Sequence, residues 1–73
     1  MPTLDNLYNA LTKKVQTANK DITREIVEDW VGNAGYKGQQ IVFMSVALSE
    51  LETGKCTPEE MVADILQLAY LDN

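Results

Sequence analysis

The sequence predicts an all-α protein: a compact array of four short helices, about 4–18, 22–31, 38–53 and 58–70, joined by short loops. Three observations carry this prediction. Apolar residues recur at steps of three and four, the period of a helix face. The breaks between these stripes are built from residues that end and start helices. The one stretch that fits a strand, "QQIVFMSV", has no second strand to pair with, and a lone strand leaves its backbone groups unsatisfied.

In the first segment Leu4, Leu7, Tyr8, Leu11, Val15 and Ala18 form one stripe. Thr3 is a candidate N-cap, Asp5 sits at the positive end of the helix dipole, and Lys13 and Lys14 sit towards its negative end. "NKD" then breaks the pattern. Asp21 or Thr23 caps the second helix, whose apolar set is Ile22, Ile26, Val27, Trp30 and Val31. With Thr23 as the cap, Ile22 and Val27 occupy the staple positions that fix the incoming chain. Gly32 follows the last apolar residue, where a left-handed helix end favours glycine.

The third helix carries Ile41, Val42, Phe43, Met44, Val46, Ala47, Leu48 and Leu51, leaving little polar face in its middle. Such a pattern predicts burial on most sides. Gly54 ends it. "TPEE" starts the last helix: Thr57 caps, Pro58 takes the first helical position, and Glu60 reaches back to the Thr57 backbone. Cys56 and Met61 hold the staple positions there. The predicted core is Leu7, Leu11, Ile26, Trp30, Phe43, Met44, Leu48, Ile65 and Leu66.

With 73 residues the chain reads as one small domain, with room for a single hydrophobic cluster. The net charge is −5. It is split along the chain: residues 1–24 carry a balance of +2 and residues 25–73 a balance of −7. Nucleic-acid grip through phosphates needs basic clusters, so this composition argues against direct nucleic-acid binding. There is no histidine, which removes the commonest general base and zinc ligand. Cys56 is the only cysteine, so no intramolecular disulfide or thiolate metal cluster is available. No cofactor or metal is expected. Nothing resembles a signal peptide or a membrane span, and the chain reads as cytoplasmic.

"GNAGYKGQQ" (Gly32–Gln40) raises the question of phosphate binding. A Walker loop needs G-x-x-x-x-G-K-[ST] between a strand and a helix, and a dinucleotide fingerprint needs G-x-G-x-x-G after a strand. Neither spacing occurs here, and the segment reads as an interhelical connector carrying an aromatic, Tyr36, and a cation, Lys37. Glu59, Glu60 and Asp64 do not make an acid–base pair, because nothing nearby desolvates one of them. Cys56 lacks a histidine partner and is not a triad nucleophile.

"LSELETGKCTPEEMVADILQLA" resembles the tail of the Cro/phage-repressor type of helix-turn-helix domain, through Glu52, Gly54, Pro58, Ile65 and Leu66. This covers about a third of the chain. The resemblance implies a DNA-binding scaffold, but the helix in the recognition position would present Val42, Phe43 and Val46 where base-reading polar residues belong.

The function these features predict is that of a small acidic regulator, not an enzyme, acting by protein–protein contact. A phage-type inhibitor or modulator of a nucleic-acid-handling host protein, such as RNA polymerase, is the type case. Its acidic surface steers it to a partner with a basic surface. The candidate contact residues are Glu25 and Asp29, Glu60 and Asp64, and the loop pair Tyr36 and Lys37. Two alternatives remain open. One is a degenerate helix-turn-helix transcription regulator that binds DNA. The other is a structural or assembly subunit, a homo-oligomer formed through an exposed part of the third helix.

Overall fold

The Thr3 hydroxyl accepts a hydrogen bond from the Asn6 N–H at 3.2 Å, and α1 runs from there over Leu4–Gln16. The computed structural model describes residues 3–33 and 38–70. Three further helices follow: α2 (Arg24–Asn33), α3 (Gln40–Thr53) and α4 (Pro58–Tyr70). No strand occurs among the described residues.

Local chemistry explains where each helix departs from the bounds its spacing predicts. α1 stops at Gln16, not 18, because its last turn tightens. The Thr17 hydroxyl donates to the Lys14 carbonyl at 2.6 Å, and the N–H groups of Ala18 and Asn19 both turn back to the Val15 carbonyl. α2 starts at Arg24, not 22, because Thr23 is its cap: the Ile26 N–H donates to the Thr23 hydroxyl at 3.3 Å. Asp21 belongs to the turn, its N–H donating to Asn19 Oδ1 at 2.9 Å. Ile22, just before the cap, is buried in the same core as Val27, as the staple pattern requires.

α2 continues to Asn33, so Gly32 lies inside the helix and is not its left-handed end. A glycine weakens a helix interior by roughly 1 kcal/mol without breaking it. The left-handed glycines among the described residues are Gly38, φ 82°, and Gly54, φ 77°. That conformation holds Gly38 outside the helix, so α3 starts at Gln40 and not at 38. Gly54 ends α3 as predicted, and the Cys56 N–H donates back to the Glu50 carbonyl at 3.2 Å. α4 keeps its predicted bounds. The Glu60 N–H donates to the Thr57 hydroxyl at 3.1 Å, and the Thr57 N–H donates to Glu60 Oε1 at 3.0 Å, a reciprocal capping box.

α1 is the hub. It packs against α3, α2 and α4, while α2 packs chiefly on α4. The radius of gyration, 11.3 Å, matches the roughly 11 Å of a compact chain of this length. Leu7, Leu11, Trp30, Met44 and Ile65 are buried as predicted. Ile26, Phe43, Leu48 and Leu66 are only half-buried around that centre. Their place is taken by Val15, Ile22, Val27, Val31, Met61 and Val62.

Arg24 fastens α2 to α1. Its guanidinium pairs with Asp5, donates to Asn9 Oδ1 at 3.0 Å and to Glu28 Oε2 at 3.1 Å, and lies over the Tyr8 ring. Burial pushes the Tyr8 phenol above its usual range, and Glu28 adds to the shift while Arg24 opposes it.

α3 departs furthest from its prediction. Its pattern predicts burial on most sides, yet Ile41, Val42 and Val46 are 47%, 59% and 53% exposed. Only Met44 and Ala47 are fully in the core. α3 and α4 are consecutive but make the least contact of any helix pair. Among the described residues no element covers Ile41, Val42 and Val46 of α3.

Candidate functional site: a groove between α3 and α4

Between α3 and α4, which touch little, lies a groove of about 470 Å³. Its two walls differ in chemistry. The α3 wall is apolar, with Val42, Phe43, Val46 and Ala47 along it. The α4 wall presents Glu60 and Asp64 on either side of Met61. Trp30 of α2 lies at the base, its ring edge-on to Phe43 at 5.0 Å between centroids and 69° between planes. Gln39 marks one end, and Glu50 and Cys56 the other. Among the described residues the lining holds three carboxylates and no cation.

Hydrogen bonds fix both carboxylates of the α4 wall. Asp64 Oδ2 accepts from the Trp30 indole N–H at 3.0 Å. This bond satisfies the donor of a side chain only 4% exposed, a group that is costly to bury unpaired. Glu60 Oε1 is held by the capping box. Each acid thus spends one oxygen on the protein and keeps the other.

The acidic surroundings also act on the half-buried Cys56. Burial pushes its thiol above the usual range, and Glu60, Glu50 and Asp64 push in the same direction. A thiol held protonated is a poor nucleophile. Among the described residues no three carboxylate or thiol groups converge as a metal-ligand set, although three carboxylates border the groove.

The predicted contact residues separate into three groups. Glu60 and Asp64 come together on one wall of the groove. Both are exposed, and each also has a structural partner. Glu25 and Asp29 are exposed on α2 and do not line the groove. Tyr36 and Lys37 lie outside the described residues. Val42, Val46 and Glu50 line the groove but are not among the contact residues that the sequence predicts for a basic partner. Their signal was present, because a helix apolar around most of its circumference has more surface than three short neighbours can cover.

No described helix is long and apolar enough to cross a membrane. Compared with protein-family models, curated proteins and solved structures, the chain matches none.

Proposed function

We propose that this chain is a small acidic regulatory protein that works by protein–protein contact, not catalysis, on a partner with a basic surface. The observation that carries this reading is the groove itself: an exposed apolar wall facing an acidic wall, with no cation among the described residues of its lining. An uncovered apolar patch rimmed by polar groups is the mark of an interaction surface. The carboxylates add steering and partner choice. The lining offers no histidine and only a deactivated thiol, which favours binding over chemistry. Proteins that handle nucleic acids carry basic grooves and suit such a surface. The exposed face of α3 is aliphatic where a DNA-reading helix needs polar side chains, which disfavours the DNA-binding alternative.

The test is affinity capture from a bacterial lysate, followed by association kinetics with the captured protein over a salt series. Charges of the rim act over a Debye length of about 8 Å at physiological ionic strength. Association should therefore be fast at low salt and slow as salt rises. Rates indifferent to salt contradict the acidic-surface reading, and salt-dependent retention on a DNA column would support the DNA-binding one.

A further inference from the structure

We propose that the α3–α4 groove is a docking site for one amphipathic basic helix of a partner protein, its apolar face on Val42 and Val46 and its Lys or Arg flank on Glu60 and Asp64. This deepens the protein-contact reading and rests on it. The shape comes first. The lining runs from Gln39, the residue before α3, to Glu50 on α3, a length of roughly 16 Å at about 1.5 Å per residue. That admits about three turns of helix, the length at which anchors at i, i+3 or i+4, and i+7 engage a groove.

Charge complementarity then selects the occupant. Glu60 and Asp64 stand on the α4 wall opposite the aliphatic wall, and Glu50 of α3 adds a third carboxylate at one end. A helix seated between the two walls meets apolar surface on one side and acid on the other, so it must be amphipathic and basic on its α4 flank. The two wall carboxylates are held in place by Trp30 and by the Thr57 backbone before any partner arrives. Pre-oriented acceptors reduce the ordering cost of binding. A second copy of the chain fits less well. Two copies meeting groove to groove bring Glu50, Glu60 and Asp64 against their own kind, and like charges across an interface are costly.

The probe is a synthetic helical peptide of about fourteen residues, or four turns, with Leu at i, i+4, i+7 and i+11 and Lys along one flank. Two controls accompany it: a scrambled peptide of the same composition, and one with Glu replacing Lys. Trp30, the only tryptophan, lines the groove and reports binding by its fluorescence. Amide shifts map the contact. The Lys peptide should bind and shift residues of α3 and α4, while both controls bind at least about tenfold more weakly, since a few well-placed anchors carry most of an interface's affinity. Val42→Thr with Val46→Thr, which keeps the charge, should weaken binding about tenfold. Glu50→Gln with Asp64→Asn, which keeps the acceptor for Trp30, should weaken it mainly through the on-rate. Equal binding of the scrambled peptide, shifts confined to α1, or a peptide-free dimer that occupies the groove would each overturn the proposal. If groove variants still bind the captured protein with salt-dependent rates, the regulator reading stands and the docking site falls.

Discussion

Trp30 and Asp64 form the contact on which the α4 wall depends. The indole is buried and its N–H has the Asp64 carboxylate as acceptor. Asp64→Ala should therefore lower stability by about 1–3 kcal/mol, the cost of a buried donor left unmade. Asp64→Asn, which retains an acceptor oxygen, should recover most of that loss. Paired denaturant titrations measure the difference. The pair spans 34 positions in the sequence, and no helical spacing rule connects residues so far apart. For the same reason charge reversal at Asp64 is a poor test of steering: it breaks a structural bond together with the field. Arg24 illustrates the same limit, because its bonds to Asp5 and Asn9 depend on how α2 lies across α1. What spacing does reveal is the local partner, Glu28, one turn along the same helix.

At the scale of the element, the ends of helices were the most legible feature. Thr3, Thr23, Gly54 and the Thr57–Glu60 box act within a few residues of chain, so their chemistry is written locally. Thr57→Ala should cost about 1 kcal/mol and lower the midpoint of thermal unfolding by several degrees for a domain this small. Coincident melts of variant and parent would contradict the cap. Gly32 marks where this legibility stops. Glycine suits a left-handed end but does not compel one, and α2 runs through it to Asn33. α3 marks a second limit. Its apolar residues predict a helix, and a helix forms, but no face stands out as the inner one. Which side is covered depends on where α1, α2 and α4 lie. The apolar pattern predicts a helix buried on most sides without saying which residues stay outside, and packing leaves Val42 and Val46 on the wall of the groove.

For the whole molecule, the balance between burial and exposure decides what the chain does. Four short helices make a core centred on α1, and among the described residues no further element covers the exposed face of α3. The surplus of acids after residue 24, visible in the sequence, becomes meaningful only when the fold sets three of them around an aliphatic wall. The central claim is thus that Val42 and Val46 form a contact surface and contribute little to the core. Its most direct test is the stability of the Val42→Thr, Val46→Thr double variant by denaturant unfolding. Threonine keeps the branched shape and adds a hydroxyl. On an exposed wall the change should stay within about 0.5 kcal/mol of the parent. If these side chains are instead buried, as the bare sequence pattern suggests, each hydroxyl should cost about 1–3 kcal/mol, and a combined loss of that size would contradict the groove and the function drawn from it.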